Sequence, residues 1–272
     1  MTWIEEQDWF QHPNDDLNRK ERMPNMEIKK ATDLKRDKDW RVMIYAKPGT
    51  GKTSLVKNLK GKTLVLDMDD STKVLAGLSN IDIIRFDRVH PHEFITEFVK
   101  EAPELVKNYD NLVVDNISSF EKDWFVERGR TSKNGISNEI QDYSQWTNYF
   151  ARIMTTIYLL KDINILVTAW ENQREITTER GQVFNQYAPQ IRDSVRDNLM
   201  GLTDIVGRMI INPDTGNRGI ILEGNDAVYA KNRLDNRTAT PVEELFLIGG
   251  GIDVSAKAIS KQTGDGKQKT SS

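Results

Sequence analysis

Val42-Met43-Ile44-Tyr45 is a short unbroken apolar run that passes directly into Ala46-Lys47-Pro48-Gly49-Thr50-Gly51-Lys52-Thr53. An apolar run without polar alternation is the habit of a strand buried on both faces, as in a parallel sheet. The Gly-rich turn leads into Leu55, Val56 and Leu59, so strand, loop and helix are predicted in immediate succession. Further candidate strands lie at 63–66, 81–86, 112–114 and 163–168. Between them, Phe94, Ile95, Phe98, Val99 and Ala102 follow helical spacing, as do Trp146, Tyr149, Phe150, Ile153, Ile157 and Leu160. Strands alternating with helices predict an α/β fold, a mostly parallel sheet with right-handed crossovers and helices on both faces. Later segments at 205–211, 219–222 and 228–230 are separated by turns at Pro213-Asp214-Thr215-Gly216 and Gly224-Asn225-Asp226. They predict an antiparallel C-terminal extension at the sheet edge.

At 272 residues the chain has room for one large domain with tails, or two small ones. Residues 1–38 form a charged, amide-rich arm in which Trp3, Ile4, Trp9 and Phe10 are the strong apolar anchors. Residues 39–248 form the core. From Gly249-Gly250-Gly251 onward the chain is small, polar and lysine-containing, with too little apolar surface to offset its ordering entropy, so 249–272 is expected to be a flexible tail. The formal net charge of −3 excludes a uniformly basic nucleic-acid binder, so any DNA contact must come from local clusters or loops. Cysteine is absent, which removes disulfides, thiolate metal sites and cysteine nucleophiles. No apolar run approaches the ~18 residues that span a bilayer. The acidic start, Met-Thr-Trp-Ile-Glu-Glu, is unlike a signal peptide, so a cytoplasmic location without membrane contact is expected.

The turn at 46–53 has the Walker A pattern, with Ala46 in place of the first glycine. Gly49 and Gly51 let backbone N–H groups converge on phosphate oxygens, and the following helix N-terminus favours the same charge. Lys52 would neutralise β- and γ-phosphates, and the Thr53 hydroxyl would ligate magnesium, so ATP and Mg²⁺ are the expected cofactors. Asp115 closes Asn111-Leu112-Val113-Val114-Asp115 at the end of a buried strand, where a carboxylate holds the metal ion through water; capping of the strand end is the alternative. A hydrolytic base could come from Thr63-Leu64-Val65-Leu66-Asp67-Met68-Asp69-Asp70. Asp67 and Asp69 share a face if the strand continues, and Asp69 is placed to activate water. Helix capping by Asp70 or Ser71 is the competing reading, and Glu171 is the rival base. Thr168 lies where a γ-phosphate sensor or a satisfied strand-end hydroxyl would sit.

Taken together, these motifs resemble the RecA-like P-loop ATPases, and most closely the phage-encoded minimal RecA-core nucleotide-binding proteins, a group that includes ATP-dependent single-strand annealing proteins. The resemblance covers about residues 41–246 and rests on 46–53, the acidic strand end at 67–70, and Val113-Val114-Asp115-Asn116. Ile165-Leu166-Val167-Thr168-Ala169-Trp170-Glu171 and Tyr229-Ala230-Lys231-Asn232-Arg233 complete it. It implies that Asp69 is the base, where the family's usual residue is Glu. It implies that Lys231 and Arg233 reach the γ-phosphate of a neighbouring subunit, in a homo-oligomeric ring or filament with ATP at the interface. It also implies two DNA-facing loops, one with Arg128, Arg130 and Lys133, the other with Arg174, Arg180, Phe184 and Tyr187. Basic groups would track phosphates and the aromatic rings would stack on unpaired bases, which suits single-stranded DNA.

The expected function is an ATP-hydrolysing protein acting on single-stranded DNA in phage recombination, annealing or replication, in the host cytoplasm if phage-encoded. The alternative is a nucleotide-switched adaptor or loader for replication proteins, with single-strand-binding proteins as further candidate partners. A nucleotide kinase is disfavoured by the lack of an arginine-rich lid.

Overall fold

The computed structural model describes residues 28–177 and 181–248. Trp3, Ile4, Trp9, Phe10, Glu179, Arg180 and the tail at 249–272 lie outside the described residues. The chain divides into two compact units, Met1–Lys35 and Arg36–Ser272. In the first, the described part contains the 3₁₀ turn Ala31–Asp33, which buries no side chain.

The second unit is built on a single sheet. Its strands are β1 (Arg41–Ala46), β2 (Thr63–Asp67), β3 (Ile81–Arg85), β4 (Asn111–Asp115), β5 (Asn164–Thr177), β6 (Val183–Pro189), β7 (Ile205–Ile211), β8 (Arg218–Ile221), β9 (Lys231–Asn232) and β10 (Ala239–Pro241). The order is β10-β8-β7-β1-β5-β4-β2-β3, with β6 paired to β5 and β9 to β7. The run β7-β1-β5-β4-β2-β3 is parallel throughout. β8 and β10 add an antiparallel edge. β5 therefore separates the strand that ends in Ala46 from the strand that ends in Asp115. The sheet is thus mostly parallel, as the alternation of strands and helices predicts.

Strand alternation sorts the core into two layers. Met43, Tyr45, Leu64, Leu66, Leu112, Val114, Ile165 and Val167 face one cluster. That cluster receives the helices α1 (Pro91–Leu105), α2 (Ile117–Thr131), α3 (Ile140–Tyr158) and α4 (Asp193–Leu202). In α1 the buried Ile95, Phe98 and Ala102 recur at helical spacing, and Pro91 starts the helix where a missing N–H costs nothing. Asn116 caps α2 by accepting from Ser119 N at 2.9 Å. On the opposite face Val42, Ile44, Val65, Val113 and Leu166 pack against Leu55, Val56, Leu59, Val242 and Leu245. The two faces are thus covered unequally, by α-helices on one and by short 3₁₀ segments on the other.

Four local expectations are revised. The segment after the phosphate loop is a six-residue 3₁₀ turn, Thr53–Asn58, and Gly61 then turns the chain back towards β2 with φ of +85°, where a Cβ would collide with the Asp110 carboxylate. β5 does not stop near Thr168 but runs to Thr177 and forms an antiparallel hairpin with β6. Arg128 and Arg130 belong to the last turn of α2 rather than to a loop. Residues 228–230 are not a strand; Val228 makes only isolated bridges, and pairing resumes at β9.

β7 passes so close to its neighbours that Gly207 has no room for a side chain. A Cβ there would lie 2.5 Å from Ile220 Cγ2 and 2.9 Å from Ile44 Cδ1. Gly207→Val should therefore lower the unfolding free energy by about 1–3 kcal/mol through overpacking. Gly201→Ala, in open space on α4, should leave it unchanged or raise it by up to ~1 kcal/mol. Urea denaturation of the two variants checks this contrast, and equal stabilities would contradict it.

Candidate nucleotide site

The loop at 46–53 leaves β1 at the level of Trp170 in β5. Gly49 and Gly51 take φ of +80° and +106°, a backbone conformation that side chains resist. Thr50 braces the turn by donating from its hydroxyl to Lys47 O at 2.8 Å. Lys52 is buried, and its Nζ donates to Ala46 O at 3.1 Å and Lys47 O at 3.3 Å. Burial pushes its ammonium pKa down, while Asp115, Asp69 and Glu171 pull it back. Lys47 and Pro48 are exposed on the outside of the loop.

Asp115 is the meeting point of the site. Its Oδ2 accepts from Thr53 Oγ1 at 2.6 Å and from Ser71 Oγ at 3.2 Å, and its Oδ1 accepts from the Thr168 hydroxyl. Thr53 and Ser71 are themselves 2.9 Å apart, oxygen to oxygen. Three hydroxyls from three chain segments thus surround one buried carboxylate.

The two acids expected to share a face are separated by the end of β2 at Asp67. Asp67 turns into the protein, accepting from Ser71 N at 3.2 Å and from the Thr72 hydroxyl, and so pins the loop that follows. Asp70 takes φ of +58° and pairs with Arg85 at 2.9 Å. Asp69 faces the site. Its Oδ2 accepts from Asn116 Nδ2, and its Oδ1 is buried without a hydrogen-bond partner. Burial raises its pKa foremost, Asp115 and Asp67 add to the rise, and Lys52 opposes it.

Glu171, the other candidate base, is held by Arg208, whose Nε lies 2.7 Å from its Oε2. The Arg208 guanidinium in turn lies 3.4 Å from the centroid of the Tyr187 ring. Beside them the Tyr45 hydroxyl donates to Tyr187 O at 2.9 Å and Tyr229 O at 2.8 Å. Glu171 is therefore part of a bridge between the sheet and the β5–β6 hairpin.

Lys231 and Arg233 point the same way, and both donate to Gly201 O, Lys231 at 3.1 Å. They are not at this chain's own phosphate loop. Lys231 pairs with Val206, which pairs with Met43, so the two cations lie towards the start of the strands. Burial, then Arg233, bring Lys231 down to about 8. Of the DNA candidates, Arg174 is engaged by Gln186 at 2.8 Å, and Tyr187 lies under Arg208. Arg128 contacts Gln145 at 2.9 Å and Arg130 donates to Val89 O at 3.1 Å. Lys133 and Phe184 are exposed.

Sequence reading passed over Asn116 as a partner of Asp69, Ser71 as a partner of Asp115, and Arg218, whose Nε donates to Thr50 O at 2.8 Å. Only Ser71, adjacent to an acidic strand end, carried a local signal. Among the described residues no group of three or more His, Asp and Glu side chains is arranged to hold a metal ion alone. The Thr53 hydroxyl and Asp115 carboxylate fit a magnesium ion that arrives with a nucleotide's phosphates.

A raised folded-state pKa means that Asp69 holds its proton to higher pH when folded than when unfolded. Its contribution to stability thus falls as pH rises through that window, and the cost is fully present above the folded-state pKa. Asp69→Asn should raise Tm of the nucleotide-free protein at pH 7–8, and the gain should shrink on acidification. Thermal melts across pH test this; a gain that stays constant or grows in acid would refute it.

A family profile described as an AAA domain matches residues 38–234. No curated protein matches the chain. Among solved structures, the RadB recombinase aligns over 74% of this chain and 84% of its own, at 14% identity and a TM-score of 0.45. A KaiC-like protein from the hyperthermophilic archaeon Pyrococcus horikoshii OT3 aligns over 68% and 78%, at 15% identity and a TM-score of 0.39. No helix among the described residues is long and apolar enough to cross a membrane. With the profile spanning residues 38–234, most of its length, the chain belongs to the AAA-domain family.

Proposed function

We propose that the protein is an ATPase that works on single-stranded DNA as a homo-oligomer. The observation that carries the ATPase reading is the half-buried Asp69 carboxylate, its Oδ1 enclosed and unpartnered, in the same site as Lys52 and the Thr53–Asp115 pair. Loop amides from 49–53 and the Lys52 ammonium would bind the phosphates once Lys52 leaves the carbonyls of Ala46 and Lys47. Bound magnesium would neutralise β- and γ-phosphate charge, held by Thr53 directly and by Asp115 through water. Asp69 would orient a water molecule and take its proton, with Asn116 fixing the carboxylate; a raised pKa makes it a stronger base. Thr168, bonded to Asp115, would sense the terminal phosphate.

The oligomeric part of the reading is supported by the joint placement of Lys231 and Arg233. Two cations on one carbonyl, remote from the chain's own loop, suit delivery to a neighbour's nucleotide, where they would stabilise transition-state charge. The RadB relative is described as a recombinase. For this chain, the exposed Lys133 and Phe184 are the DNA contacts we favour. Domain roles follow the same division, with 39–248 as the ATPase core between an arm and a tail.

A second reading, a nucleotide-switched adaptor with little DNA affinity, is favoured by one observation: Arg174 and Tyr187 are already engaged within the protein. Single-strand affinity at low salt separates the two, because phosphate contacts are strongest there. Micromolar or tighter binding supports the first reading, and none supports the second.

Single-stranded DNA should raise the ATPase rate, and Lys231→Ala should lower it by at least ~10-fold. Mixing Lys231→Ala with Asp69→Asn should restore activity, because one mixed interface pairs an intact base with an intact cation. No DNA stimulation and no restoration on mixing would sink the shared-site reading.

A further inference from the structure

Outside the motifs, one side chain reaches the phosphate loop from a distant part of the chain. β7 and β8 form a hairpin closed by the pair Ile211 and Arg218. Its turn is fixed by Asn212, whose backbone bonds Asn217 O at 2.8 Å and whose Oδ1 accepts from Asp214 N at 2.9 Å. β8 is also zipped to β10, so the hairpin is held on both sides. Register sets where Arg218 falls. Tyr45 pairs with Arg208, and Arg208 with Ile221; running back along β8 carries the chain past the level of Tyr45 towards the phosphate loop. There Arg218 Nε donates to Thr50 O at 2.8 Å, and the same nitrogen would lie 3.2 Å from a Cβ on Gly51.

The chemistry of this contact is incomplete as it stands. Arg218 is exposed, no carboxylate among the described residues pairs with it, and its terminal nitrogens bond no described residue. An arginine fixed at Nε keeps the fork that suits phosphate oxygens. Thr50 lies between Gly49 and Gly51, the two residues whose positive φ values direct the loop amides.

We propose that Arg218 is a positioning residue of the nucleotide site: it locks the Thr50 carbonyl so that the loop keeps its phosphate-binding shape, and it adds positive charge to the polyphosphate of a bound nucleoside triphosphate. The inference rests on the reading of 46–53 as the nucleotide loop. Arg218 acts on ground-state binding, so its removal raises KM with kcat little changed, unlike loss of Asp69.

Equilibrium binding of a fluorescent ATP analogue with magnesium, to the full chain, tests this in wild type, Arg218→Ala, Arg218→Lys and Lys52→Ala. Arg218→Ala should weaken binding roughly 10-fold, the worth of one charge-assisted hydrogen bond. Arg218→Lys should recover part of the loss, and the gap between wild type and Arg218→Ala should narrow as salt rises. The nucleotide-free Tm should match wild type, because the side chain is exposed. Should the alanine variant fail to fold, the Lys variant carries the test through its intermediate affinity. Binding within twofold of wild type in Arg218→Ala, or no weakening in Arg218→Lys, overturns the proposal while Lys52→Ala still abolishes binding. Wild-type affinity in Lys52→Ala overturns the loop reading itself.

Discussion

Everything in the site is referred to one carboxylate. Asp115 ends β4 at a level set by its neighbours: Asp67 pairs with it, Val114 pairs with Val167, and Ile44 with Thr168. Because these strands are parallel, their carboxyl ends fall together, and hydroxyls from the β1 loop, the β2 loop and β5 can reach the same two oxygens. A carboxylate accepts only, so hydroxyl donors suit it; the fully buried Thr168 hydroxyl, left without it, would cost about 1–3 kcal/mol. In the proposed reading, the residues joined by these bonds are also the ones that would hold a metal ion beside a nucleotide's phosphates.

Around this point the sheet is asymmetric in a way that matters. One face carries α1 to α4 and a dense group of rings including Phe120, Trp124, Trp146 and Tyr149. The other carries only short turns, among them the segment that follows the phosphate loop. With so short a helix, little dipole would be available to a phosphate, and in the proposed reading the loop amides and cations such as Lys52 would carry the binding. The β5–β6 hairpin extends the central strand beyond the sheet and is tied back through Glu171, Arg208 and Tyr45.

What the sequence made legible was local. The phosphate loop is contiguous, and Asp115 closes an apolar run, so both could be placed from spacing. The hairpin could not, because residues 171–177 are polar and largely solvent-facing, leaving no apolar period to read. Strand alternation would put Asp67 and Asp69 side by side, but β2 ends at Asp67, so Asp69 lies in the loop beyond it. Ser71, Asn116 and Arg218 gain their place from tertiary contacts, in the last case across β8 to a loop far earlier in the chain.

The Lys52 ammonium is held by its own loop, donating to the carbonyls of Ala46 and Lys47. In the proposed reading a polyanion would have to draw one side chain away from two carbonyls. The entropy of ordering a loop braced by Thr50 and Arg218 would already have been met when the chain folded, so it would not weaken binding.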